Sequence, residues 1–161
     1  MQVFLVRHAE AVDETLVLRD PYRHLTAHGR VQARSLGDRL RWHDCHPTQI
    51  WTSPLVRAVQ TAELVAAGLA CAATVEVLTA LAPDGVAREV IAALRAQPAG
   101  TVMVLVGHEP ALSAIGTLLV NAPDFAALAK AEAARIDHET LRWRFAWDGE
   151  APNVITQGSS R

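Results

Sequence analysis

Residues 2–8 run Gln2-Val3-Phe4-Leu5-Val6-Arg7-His8. Four consecutive apolar residues, with no polar one between them, are the pattern of a strand buried on both faces of a parallel sheet. Such a strand ends where the chain reaches water. In open α/β sheets, ligands bind at the carboxyl ends of the strands. Arg7 and His8 are therefore delivered together to a ligand-binding edge. A fixed cation beside an imidazole suits an anionic ligand and a nucleophile or proton carrier.

Two further corners repeat the pattern. Thr101 to Val106 is an apolar, β-branched run that ends in Gly107-His108-Glu109-Pro110. Pro is favoured in the first turn of a helix, and 111–120 reads as that helix. A third strand, over 49–52, ends in Ser53-Pro54, with Ser as N-cap and Pro at the first helical position. The spacing predicts a helix over 54–67 that carries Arg57 in its first turn. Free N–H groups and the positive end of the helix dipole favour an anion there. Two guanidiniums (Arg7, Arg57) and two imidazoles (His8, His108) meeting at one edge make a phosphate site.

These segments resemble a known family. The opening FLVRHAEA (residues 4–11) is similar to the nucleophile motif of the histidine phosphatase superfamily in its Arg-His-Ala form. RHLTAHGRVQA (23–33) resembles its Leu-Thr…Gly…Gln-Ala segment. TSPLVRAVQTAE (52–63) resembles the second-arginine motif, and LVGHEP (105–110) the second-histidine motif. The four motifs occur in family order, and the chain is most similar to the small SixA-type branch of phosphohistidine phosphatases. The resemblance implies a phosphatase whose substrate is a phosphoramidate, and that branch manages without a strong acid because imidazole leaves more readily than an alkoxide.

The rest of the chain agrees with an α/β domain. Half of its 161 residues are hydrophobic and 20% are charged, enough for one domain with a real core. Thr26 caps a helix over 27–42 with Val31, Leu36 and Leu40 on one stripe. A short strand over 74–78, a turn at Ala82-Pro83-Asp84-Gly85 and a helix over 86–96 follow. The Ala-rich stretch 125–133 has two readings, a helix from its alanines or a segment that runs into a strand near Arg135. Residues 141–147 alternate as a half-buried strand that pairs antiparallel at one side, and a loose tail starts at about 149. The expected architecture is a three-layer sandwich: a mostly parallel central sheet, helices on both faces, and one antiparallel edge strand.

The net charge of −2 gives no basic footprint for nucleic acid. No apolar run reaches the roughly 18 residues of a membrane span, and no signal peptide precedes the first strand. Cys45 and Cys71 have neither redox nor metal spacing, and free thiols fit a reducing cytoplasm. His43, Cys45 and His46 fit no metal site. Phosphate chemistry here needs no metal or other cofactor, because the arginines neutralise the charge.

His8 is the candidate nucleophile, deprotonated on the attacking nitrogen, with its other ring nitrogen held by a backbone carbonyl. Arg7 and Arg57 clamp the nonbridging oxygens. His108 donates to a phosphate oxygen as imidazolium. Asp84 has the position of a general acid for an ester leaving group, with the alternative role of a turn residue; Glu10, Glu14 and Glu109 are its rivals. No long insertion follows the first strand or separates the second from the third. The resulting uncapped edge would admit a phosphohistidine presented on another protein. The competing functions are a phosphomonoesterase for a small metabolite, which would need its carboxylate, and a phosphate-binding module, which could dispense with His8. A dinucleotide site is excluded by the absence of a Gly-x-Gly-x-x-Gly turn after the first strand.

Overall fold

A computed structural model describes residues 1–151. Six strands, β1 (Gln2–Arg7), β2 (Gln49–Thr52), β3 (Val75–Val77), β4 (Val102–Gly107), β5 (Glu132–Asp137) and β6 (Thr140–Ala146), form one sheet in the order β3-β2-β4-β1-β5-β6. The first four in that order run parallel, β5 runs antiparallel to β1, and β6 pairs antiparallel with β5. The helices are α1 (Ala27–Arg41), α2 (Val56–Leu69), α3 (Ala87–Arg95) and α4 (Ala111–Val120).

Alternation along β1 builds two cores. Val3 and Leu5 pack with Met103, Leu105, Val90 and Leu112 beneath α3 and α4. Phe4 and Val6 pack with Val104, Val106, Leu36 and Ala62 beneath α1 and α2. With helices on both faces the interior positions of β1 and β4 do not face water, so these strands carry continuous apolar runs. The three-layer architecture expected from sequence is present.

Register then sets the site. Parallel pairing aligns Arg7 of β1 with Gly107 of β4. The next residues, His8 and His108, therefore leave adjacent strands side by side, and the His8 N–H donates to the Gly107 carbonyl at 3.0 Å. On the other face, α1 and α2 touch through glycines. A Cβ on Gly68 would lie 2.5 Å from the Arg34 carbonyl oxygen and 2.6 Å from the Asp38 nitrogen. Only a residue without a side chain permits that approach.

Three expectations are corrected. Val31 is 56% exposed, and the buried stripe of α1 is Gly29, Gln32, Ala33, Leu36, Gly37 and Leu40. The Ser53-Pro54 pair does not start α2, which begins at Val56 with Leu55 as its N-cap; the Ser53 hydroxyl closes a separate turn by accepting from the Leu55 N–H and meets His108. The Ala-rich stretch forms no helix; it is a loop leading into β5. Beyond 151, the expected tail lies outside the described residues. No helix among the described residues is long and apolar enough to cross a membrane.

Candidate active site

His8 is buried at the end of β1. Its Nδ1 lies 2.7 Å from the Ala9 carbonyl oxygen. A carbonyl only accepts, so Nδ1 carries the proton and Nε2 presents a lone pair. Ala9 is held in turn, since its N–H donates to Thr61 Oγ1 at 3.1 Å, and that hydroxyl donates to the Arg57 carbonyl at 2.7 Å. The pKa of His8 is lowered to about 4, first by burial and then by the charges of Arg57, Arg7 and Lys130, against the opposing Ala9 hydrogen bond. At neutral pH the ring is a free base, as the sequence reading requires of a nucleophile.

His108, buried at the end of β4, stands beside it, with ring centroids 5.1 Å apart. Its Nε2 is 2.7 Å from Ser53 Oγ, which already accepts from the Leu55 N–H at 3.2 Å. With the hydroxyl proton directed at Nε2, Nδ1 is the protonated nitrogen. Its pKa is lowered to about 3 by burial, then by His8 and Arg57, with Asp20 pulling the other way. Without an anion's charge the ring is therefore neutral; the imidazolium expected for donation to phosphate is a second cation beside two arginines and needs that anion to hold it.

The arginines are braced from behind. Arg7 Nη1 donates to the Leu128 carbonyl at 2.9 Å. Leu128 is itself held by Glu109, whose Oε1 accepts from the Leu128 N–H at 2.9 Å and whose Oε2 accepts from Ser113 Oγ at 2.7 Å. Arg57 Nη1 donates to the Asp20 carbonyl at 2.9 Å, and the Asp20 carboxylate lies 3.3 Å away. Arg23, whose Nη1 donates to Asp20 at 2.9 Å, holds that carboxyl below its ordinary range together with Arg57.

Three buried side-chain nitrogens in the described residues have no hydrogen-bond partner: Arg7 Nε, Arg57 Nε and His108 Nδ1. All three are donors, and all three belong to the residues around His8. Buried polar groups are nearly always paired, and leaving one unpaired costs ~1–3 kcal/mol. Three unpaired donors beside one imidazole lone pair fit a tetrahedral oxyanion with several acceptor oxygens.

Asp84 is exposed in the turn before α3 and makes no hydrogen bond or ion pair among the described residues. Glu109 is consumed in bracing Leu128. Glu10 accepts from Thr26 Oγ1 at 2.8 Å, and Glu14 pairs with Arg19 at the surface. The remaining histidines stand apart: His43 packs on Trp143 and Phe145, and His28 on Trp147.

Sequence reasoning passed over Asp20, Ser53 and Lys130. Asp20, standing before Pro21, carries only a turn signal, and Ser53 reads as an N-cap. Lys130 has one usable signal, being the sole lysine in a chain with fourteen arginines. It precedes Ala131, whose N–H reaches the Arg7 and His8 carbonyls.

Known proteins resemble this chain over much of its length. The family model of the histidine phosphatase superfamily (branch 1) matches residues 3–82. An uncharacterised protein of Picosynechococcus sp. is 36% identical over 114 residues, 70% of this chain and 68% of that protein. Phosphohistidine phosphatase SixA of Escherichia coli is 35% identical over 85 residues, spanning 53% of this chain and about half, 52%, of SixA. The structure of protein histidine phosphatase SixA complexed with tungstate superposes with a TM-score of 0.82 at 28% identity, covering 91% of this chain and 97% of that one. A mycobacterial glucosyl-3-phosphoglycerate phosphatase shares the fold, with a TM-score of 0.64 at 20% identity over 92% of this chain and 99% of its own.

Proposed function

The chain belongs to the histidine phosphatase superfamily, and we propose that this phosphatase hydrolyses phosphohistidine on a partner protein through a phosphorylated His8. His8 Nε2 attacks phosphorus and forms the new P–N bond. The P–N bond of the substrate breaks, and its electron pair leaves with the departing imidazole, which water protonates. Water then attacks phosphorus on His8, the P–N bond to Nε2 breaks, and inorganic phosphate departs. Arg7, Arg57 and His108 Nδ1 hold the nonbridging oxygens throughout. The arginines supply the charge neutralisation that a metal supplies elsewhere.

The three unpaired buried donors around a free imidazole lone pair carry this reading. A phosphoramidate substrate suits a site whose Glu10, Glu109 and Asp20 carboxylates are engaged in hydrogen bonds and ion pairs, with Asp84 left uncommitted. Likeness to a protein histidine phosphatase bound to tungstate supports an anion at this position. The deciding assay compares a phosphohistidine-bearing phosphotransfer protein with a panel of small phosphate esters, with and without EDTA. Faster turnover of the phosphohistidine protein, unchanged by EDTA, is expected. Fast ester hydrolysis with an inert phosphohistidine protein would instead identify a small-metabolite phosphomonoesterase.

A further inference from the structure

The loop from His8 to α1 ends in a tight turn, Thr15–Leu18. The Thr15 N–H donates to the Leu18 carbonyl at 2.9 Å, and the Leu18 N–H donates to Thr15 Oγ1 at 2.9 Å. The two residues at its tip, Leu16 and Val17, are 94% and 95% exposed, the highest of the large apolar side chains among the described residues; Trp42, at 69%, comes next. Turn tips ordinarily carry Gly, Pro, Asn, Asp or Ser, because those residues favour the turn geometry. Leu and Val contribute nothing to it, since Thr15 closes this turn. Two adjacent apolar side chains are thus held in water by a turn that does not need them.

The turn is also tied to the site. Val17 is three residues from Asp20, at most ~11 Å of extended chain, and the Asp20 carboxylate touches Arg57. At the loop's base, Arg23 Nε donates to the Val12 carbonyl at 2.7 Å. Tyr22, 66% exposed, lies on the limb returning from the tip. A phosphoryl group on a histidine holds its parent protein within a side-chain length of Arg57, which is the range of this tip. A small phosphate compound has no such parent surface to set against the tip.

We propose that Leu16 and Val17 form a docking contact for an apolar patch beside the phosphohistidine of a protein substrate. The proposal rests on the phosphohistidine reading above. Its test is the double variant Leu16→Ser/Val17→Ser, assayed beside wild type on two substrates: a histidine phosphotransfer protein phosphorylated chemically with phosphoramidate, and phosphoramidate itself. Both positions are solvent-exposed, so folding is unaffected, and circular dichroism checks it. The expected result is at least a tenfold fall in kcat/KM on the protein, carried by KM, with phosphoramidate turnover unchanged. Equal kinetics of variant and wild type on the protein overturns the docking contact while leaving the phosphohistidine reading intact. A parallel fall on both substrates also overturns it, because the turn would then act through Asp20 and Arg57. Failure of wild type on the phosphoprotein, with phosphoramidate hydrolysed, overturns the reading beneath it.

Discussion

At the scale of the residue, His8 has one ring nitrogen committed to a backbone carbonyl and the other free. His8→Ala is expected to abolish turnover and covalent labelling by radioactive phosphate while preserving the fold, as rapid-quench labelling and circular dichroism will show. Arg57→Ala removes a preorganised charge and is expected to cost ~2–4 kcal/mol in transition-state binding, read from kcat/KM. Asp84 is tested by substrate. An alkoxide needs a proton to leave, and general acid catalysis is typically worth ~10²–10⁴-fold; imidazole needs far less help. Asp84→Asn is thus expected to be mild on phosphohistidine and severe on an alkyl phosphate ester. Equal small losses on both make it a turn residue. Arg7, His8, Arg57 and His108 were legible because each follows or closely trails an apolar strand. Asp20 and Ser53 were not, because their partners lie 37 and 55 residues away.

At the scale of the element, β1 and β4 were legible because burial on both faces removes every polar residue from their interiors. β5 was obscured by its alanines, which favour helix locally while the open edge of β1 recruits them as a strand. The burial of α1 was misjudged at Val31 because the helix meets α2 through its small residues rather than its large ones. That contact is testable. Gly68→Ala gains helix propensity of up to ~1 kcal/mol. It also drives a methyl against the Arg34 carbonyl and the Asp38 nitrogen, and overpacking costs ~1–3 kcal/mol. Backbone cannot rotate aside, so overlap wins. A net loss of about 1–2 kcal/mol is expected in urea unfolding, with reduced kcat/KM because α2 carries Arg57.

At the scale of the whole molecule, the buried histidines make stability depend on pH. Unfolded histidines titrate near 6.5, whereas His8 and His108 in the fold titrate at about 4 and about 3. Below pH 6.5 the unfolded chain therefore binds more protons, and stability falls as pH drops from there toward 4. His43, lowered by burial and Arg39, adds in the same direction. The Asp20 carboxyl acts only below its ordinary value of 3.8, outside that window. Urea midpoints are expected to be flat above pH 7 and to decline between 6.5 and 4.5, with a shallower decline in His8→Ala. Inorganic phosphate, which holds the protonated histidines, is expected to flatten the slope as well. The place of β1 in the sheet has a last consequence, in time. It pairs with β4 and β5, so that Gln2 meets Val102 and Asp137. Of the six strands it precedes the others, and its partners follow 100 and 135 residues behind it. At synthesis rates of about 5–20 residues per second, the strand bearing Arg7 and His8 waits on the order of 5–20 s for β4 and 7–27 s for β5, with its pairing edges open meanwhile. Such an open strand is expected to make the nascent chain a client for a holding chaperone until β4 and β5 arrive, as crosslinking of ribosome-bound chains would show.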